Sequence, residues 1–142
     1  MIQRIQTIFL FLAGVAFTSV ILLPFATSDQ TGPGVFRDGE YTIMDIPTLQ
    51  ILTYVAILAV LIGIFMYRRR RVQLRVGYGI ILLGLVIPIV AYLYYHSPDA
   101  AVADVEIALG GFMPVMAALC VVVATYYIRK DERLVKSMDR LR

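Results

Sequence analysis

The stretch IQTIFLFLAGVAFTSVILLPF, from Ile5 to Phe25, runs for 21 residues without an Asp, Glu, Lys, Arg or His. A helix needs about 20 apolar residues, at about 1.5 Å of rise each, to cross the hydrocarbon core of a bilayer. Three further runs pass the same test: Pro47 to Tyr67, Val76 to Tyr95 and Ile107 to Ile128, all uncharged. With 60% hydrophobic and 16% charged residues, the 142-residue chain is also more apolar than a soluble domain, which averages about 45–50% and 25%. A soluble helical bundle would carry a polar face along every helix. Here the charges fall in blocks between the uncharged runs.

The sequence therefore predicts an all-α integral membrane protein, a single domain over residues 1–142. Its form is an antiparallel four-transmembrane-helix bundle with spans at about 5–25, 47–67, 76–95 and 107–128. The first run is long for the apolar core of a secretion signal, about 7–15 residues. The residues after it, Pro24 to Thr27, lack a small-x-small cleavage pattern, so the run is expected to stay as a span.

Charge sets the expected orientation, because short loops rich in Arg and Lys stay in the cytoplasm. Arg4 precedes span one; Arg68, Arg69, Arg70, Arg71 and Arg75 fill the loop 68–75; six more basic residues lie in the tail 129–142. With those segments inside, twelve of the thirteen basic residues are cytoplasmic and Arg37 alone is translocated. Seven acidic residues occupy the two opposite loops, 26–46 and 96–106. Tyrosines cluster at both expected interfaces, the depth that amphipathic rings prefer. The net charge of +3 thus reports topology rather than a nucleic-acid footprint. The arginine run serves either as a topology anchor or as a contact for anionic lipid headgroups, at about 1 kcal/mol per basic residue near the surface.

In the first external loop, Thr31-Gly32-Pro33-Gly34 signals a turn. Val35 to Ile43 then has the composition of a β-hairpin with its tip at Asp38 and Gly39. Such a hairpin is marginal alone and must lean on a neighbour, as a lid over the bundle end or as a docking element. The second loop carries Ser97-Pro98-Asp99, a turn leading into a helix start, and His96, the sole histidine. In the tail, Leu134, Val135, Met138 and Leu141 share one helical face. That face suits the inner leaflet or a protein partner, or a solvated continuation held by i, i+4 pairs such as Glu132–Lys136.

Inside the bundle, close packing between helices in lipid depends on small residues. The candidates are Ala13, Gly14, Ala59, Gly63, Gly84, Gly110, Gly111, Ala117 and Ala118. Pro88 and Pro114 each remove a backbone donor and are expected to bend helices three and four. No ionisable residue lies within a span, where a proton or ion path would need one. Paired haem-ligating histidines are absent, and Cys120 is alone. There is no nucleophile elbow, HExxH zinc helix or phosphate-binding glycine loop. The expectation is a non-enzyme with no catalytic, metal or cofactor site.

Both ends of the chain resemble a family of uncharacterised bacterial four-helix inner-membrane proteins, catalogued only as a domain of unknown function. The opening Met1-Ile2-Gln3-Arg4-Ile5-Gln6-Thr7-Ile8 carries the resemblance. So does the close Arg129-Lys130-Asp131-Glu132-Arg133-Leu134-Val135-Lys136-Ser137-Met138-Asp139-Arg140-Leu141-Arg142. It implies four spans in the bacterial inner membrane, and brings no activity, cofactor or catalytic residue. The function expected from these features is a non-catalytic accessory or assembly subunit of a larger membrane complex, in contact with membrane lipids. Its contact surface would use Arg4, the arginine loop, Arg133, Leu134, Met138, Arg140 and Leu141. The alternatives are a small transporter or lipid-binding protein with a cavity between helices three and four near Pro88 and Pro114, or a homo-oligomer. A membrane enzyme would instead require His96, Asp99, Asp104 and Glu106 to converge.

Overall fold

A computed structural model describes residues 2–29, 36–67, 69–96 and 105–139, with side chains from residue 5 to residue 133. Four helices dominate: α1 (Ile2–Leu22), α2 (Pro47–Phe65), α3 (Arg70–Tyr95) and α4 (Leu109–Asp139). Each is long and apolar enough to cross a membrane. Three short strands, β1 (Ala26–Ser28), β2 (Glu40–Tyr41) and β3 (Val105–Ile107), form one small sheet. Each helix packs on two neighbours, closing a ring in the order α1-α2-α3-α4, with the α1–α4 contact the most extensive. The strands join helix ends on one side and the turn between α2 and α3 lies on the other, so consecutive helices run antiparallel.

The buried stripes have helical spacing: Leu10, Ala13, Phe17 and Val20 on α1, and Leu49, Thr53, Ala56 and Val60 on α2. The outward faces are apolar too, with Phe11, Leu58, Leu82 and Leu119 all more than half exposed. That inverts a water-soluble helix, whose outer face is polar. Only a solvent as apolar as the core leaves such faces unpenalised.

Small residues set the closest approaches. At Gly84, a Cβ would stand 2.7 Å from the Pro114 carbonyl oxygen and 2.8 Å from the Ala118 Cβ, so α3 and α4 touch almost backbone to backbone. Ala13, Gly63, Gly84, Gly110, Ala117 and Ala118 are buried as the sequence suggests; Gly14, Ala59 and Gly111 are half-buried. Gly77, Ala56, Ala91 and Ala124 also belong to the buried faces. Both helices continue unbroken through Pro88 and Pro114.

The helix bounds differ from the apolar runs, and two of the starts show why. Helix α3 begins at Arg70 rather than Val76, and α4 at Leu109 rather than Ile107. An apolar run marks the stretch that suits hydrocarbon. Arginine forms helix well, so Arg70, Arg71 and Arg75 extend α3 past that stretch, and the turn shrinks to residues 66–69. Ile107 is taken up by β3.

The hairpin expectation needs a correction. Asp38 and Gly39 do form a turn: Gly39 has φ +81°, its N–H donates to the Phe36 carbonyl, and Glu40 N–H donates to Asp38 Oδ1. But Phe36 and Arg37, just before the tip, are not a strand. Phe36 is fully buried, against Tyr41 and edge-on to Tyr95, and β2 pairs with β1 instead. The register is antiparallel, Ala26 opposite Tyr41 and Thr27 opposite Glu40. On the other side of β1 lies β3, with Ala26 opposite Ile107, Thr27 opposite Glu106 and Ser28 opposite Val105. Both predicted external loops thus share one sheet, which supplies the neighbour that an isolated hairpin lacks. The turns expected at Thr31-Gly34 and Ser97-Asp99 lie outside the described residues.

A backbone seam ties the sheet end of the bundle together. Ala108 N–H donates to the Phe25 carbonyl and Gly110 N–H to the Pro24 carbonyl, each at 3.0 Å. A Cβ at position 110 would fall 2.3 Å from the Pro24 oxygen and 2.5 Å from that of Leu23. Gly110→Ala must therefore push the seam apart. It is expected to cost about 2 kcal/mol, in the range of overpacked cores, in a reversible unfolding titration in detergent. Gly79→Ala, with nothing within 4 Å, should instead be neutral or stabilise by about 0.5 kcal/mol.

Candidate functional site

Two regions gather the side chains that can meet a partner or ligand: the helix ends around the α2–α3 turn, and the space beneath the sheet. At the α2–α3 turn, the arginine block is partly committed. Arg70 and Asp131 form an ion pair at 2.9 Å with both side chains mostly buried. Arg71 lies 3.9 Å from Glu132, a looser contact. Arg129 on α4 hydrogen-bonds the Tyr78 hydroxyl and lies over the Tyr78 ring. Gln73 reaches across to donate to the Gly63 carbonyl at 2.9 Å, satisfying one of the orphan carbonyls at the end of α2. The start of α3 is thereby braced against α4 just beyond the apolar runs.

Of the residues singled out in the sequence, Arg69, Arg71, Arg75 and Arg133 are exposed, Arg71 lying near Glu132, whereas Arg70 is half-buried against α4. Arg4, Leu134 and Met138 lie on α1 and α4, but their side chains are outside the described ones. Arg68, Arg140 and Leu141 lie outside the described residues altogether. Asp38 and Gly39 sit at the turn before β2, at the opposite end of the bundle from the arginines.

Sequence reasoning missed the acceptors for the arginines. Asp131 and Glu132 carried the signal, since with Asp139 they are the acidic residues of the expected cytoplasmic segments. It also missed the buried amides: Gln6 and Gln73 are each 4% exposed. A neutral amide gives no sign in the sequence that its side chain will be buried.

Beneath the sheet lies a partly open, apolar pocket of about 420 Å³ between α3 and α4, within the size range of ligand sites. Pro88 and Val115 line its deep end and the sheet residues Ala26, Tyr41 and Ile107 its roof. Pro114 is not part of the lining; it is packed against Gly84. A second apolar groove of about 370 Å³ runs between α1 and α2 along Phe11, Val15, Val60 and Leu61.

Tyr41 joins the roof to the wall. Its hydroxyl donates to the Ala91 carbonyl at 3.1 Å, and its ring packs on Phe25 and Phe36. Burial, with smaller contributions from Asp45 and Tyr94, pushes the phenol above its ordinary pKa. Asp45 itself is held by the Thr42 backbone N–H at 2.7 Å and the Thr42 hydroxyl at 2.9 Å, and Thr42 accepts from Met44 N–H. This reciprocal cap fixes the chain just before Pro47 opens α2.

Of the four residues that a membrane enzyme would bring together, His96 and Glu106 are described. His96 packs on Tyr92, with ring centroids 4.2 Å apart, and on Tyr95 at 4.8 Å. Glu106 is exposed on β3. Asp99 and Asp104 lie outside the described residues. Among the described residues no group of three His, Cys, Asp or Glu side chains could hold a metal ion.

Compared with known protein families, residues 2–141 match the family described as Domain of unknown function (DUF4293). No curated protein and no solved structure shows significant similarity to the chain.

The Tyr41 clamp makes a pH-dependent prediction. Because its folded pKa is raised, both states keep the proton below about pH 10, and above that the unfolded phenol ionises first. Stability should therefore fall as pH rises past about 10. Tyr41→Phe should cost about 1 kcal/mol at neutral pH and flatten the alkaline loss. Parallel denaturant titrations at pH 8 and 10.5 check both.

Proposed function

Since the chain belongs to the DUF4293 family, whose description assigns no activity, we propose that it is a non-catalytic accessory or assembly subunit of a larger complex in the bacterial inner membrane. Both termini and the α2–α3 turn face the cytoplasm, and the sheet lies on the outer side. The observation that carries this reading is the length and bracing of α4. At 31 residues it is about 46 Å long, against a hydrocarbon core of about 30 Å. Its apolar run ends at Ile128, so residues 129–139 project about 16 Å as continuous helix.

A solvated tail needs no support, yet this one is held to α3 by Arg70–Asp131 and by the Arg129–Tyr78 contact. The bracing favours a stalk that presents a fixed surface, with exposed Arg69, Arg75 and Arg133 around its base. Outward-facing leucines and phenylalanines meet lipid along the rest of the bundle. A specific observation favours a second reading, lipid binding between helices three and four: the pocket above Pro88.

Two measurements test the proposal. In a Cys120→Ser background, an impermeant maleimide applied to spheroplasts should label Asp38→Cys and spare Arg133→Cys; the reverse pattern would refute the orientation. Gently solubilised from native membranes, the protein should run at the mass of a defined larger complex. Arg133→Glu should release it from that complex without lowering its level. Migration as the chain with lipid alone, or an unchanged complex in Arg133→Glu, would count against a partner held at the stalk.

A further inference from the structure

The arginine end of the α3–α4 seam carries more positive charge than its own carboxylates balance. On α3, Arg71, Arg75 and Tyr78 are exposed and stand four and three residues apart, as neighbours on one helix face. On α4, Arg129 and Arg133 are exposed at i, i+4 spacing. The Arg129–Tyr78 contact brings the two rows together, with the guanidinium 5.2 Å from the ring centre. Gly77 permits the approach: a Cβ there would stand 2.7 Å from the Thr125 Cγ2.

Two like-charged pairs, Arg71–Arg75 and Arg129–Arg133, therefore meet across one seam. Each such pair is unfavourable on its own helix. The carboxylates at this end are engaged elsewhere: Asp131 pairs with Arg70, and Glu132 lies beside Arg71. Among the described residues, Arg75 and Arg129 pair with no carboxylate. The arrangement suits an anion from outside the chain.

Depth and shape decide which anion. The apolar runs are bounded by Val76 on α3 and Ile128 on α4. Arg75 and Arg129 are the first residues beyond them, at the depth of lipid headgroups. Past that boundary the outward faces continue into the membrane as Leu82 and Leu85 on α3 and Leu119 and Val122 on α4, all exposed. Inorganic phosphate or an acidic peptide would use the guanidiniums and leave these apolar faces unused. A phospholipid matches both. An ethanolamine headgroup would bring an ammonium against the arginines, whereas a glycerol headgroup brings no second charge.

We propose that this seam binds an anionic phospholipid of the phosphatidylglycerol kind, with its phosphodiester between Arg75 and Arg129. Tyr78 positions Arg129 for that contact, and one acyl chain lies along the leucines. Arg133, a turn further out, stands beyond headgroup depth and remains with the stalk. The proposal takes its leaflet, the inner one, from the orientation proposed above and adds to that reading a ligand of defined chemistry.

The chain contains no tryptophan, so one introduced indole reports the lipid beside it. Leu82→Trp places it next to the site, and Leu58→Trp, on the outward face of α2, serves as the control. Each full-length variant is reconstituted in mixed phosphatidylethanolamine and phosphatidylglycerol vesicles in which one lipid or the other has brominated chains. Quenching at Leu82→Trp should show phosphatidylglycerol enriched about fivefold over its bulk share, a ratio set by about one arginine–headgroup contact. Leu58→Trp should follow the bulk mixture. Arg75→Glu, an exposed change that spares the fold, should abolish the enrichment, and Arg129→Gln should lower it. Arg69→Gln, in the α2–α3 turn, should leave it unchanged.

No enrichment at Leu82→Trp, or enrichment that survives Arg75→Glu or Arg129→Gln, would overturn the site. An equal loss in Arg69→Gln would also overturn it, in favour of general surface charge. Quenching by neither lipid at both reporters would overturn the membrane reading and take the site with it. Both vesicle leaflets have one composition, so an inverted orientation would move the site to the other leaflet without erasing its signal.

Discussion

The backbone hydrogen bonds between the end of α1 and the start of α4 hold the rest of the structure in place. Every helix end leaves unpaired N–H or C=O groups, and at the edge of a hydrocarbon core these are costly to strand. Here the first amides of the α4 entry, at Ala108 and Gly110, donate to the carbonyls of Phe25 and Pro24 that follow α1. One set of orphan groups satisfies another. The approach is so close that only glycine fits at 110, and the most extensive helix contact in the molecule, α1 with α4, follows from it.

From that seam the sheet grows naturally. Beyond Pro24 the chain is extended, and β1 offers both edges: one to β3, which leads directly into α4, and one to β2, which leads through the Thr42–Asp45 cap into α2. Tyr41 then fastens β2 to α3 through Ala91. At the sheet end α1, α2 and α4 are joined by short backbone segments and α3 by the Tyr41 hydroxyl. At the other end the joints are side chains: Gln73 to Gly63, Arg70 to Asp131 and Arg129 to Tyr78. The bundle thus carries its sheet at one end and its charged groups at the other.

The four helices and their short connection were legible because an uncharged run of membrane-spanning length has few alternatives. The turn at Asp38 and Gly39 was legible because the Gly39 conformation, φ +81°, favours glycine. Its strand partner was not. The period-two composition of Val35 to Ile43 says that some residues will pair, and Phe36, read as a strand residue, is instead drawn into the core beside Tyr41 and Tyr95. The true partners, Ala26–Ser28 and Val105–Ile107, are three residues each, too short to show a period. Likewise the pocket arises where α3 and α4, in close contact at Gly84, leave space between them beneath the sheet. Pro88 pointed to its level, but the roof residues come from segments distant in sequence.

Residue-level amide hydrogen exchange in a lipid nanodisc tests the central claim most directly. If the seam organises the bundle, the N–H groups of Ala108 and Gly110 should be protected to the level of the α4 interior around Val121, although both lie at a helix boundary. Exchange at those two amides as fast as at the exposed Asp38 turn would contradict it, and would mean that the α1–α4 packing stands on its side chains alone.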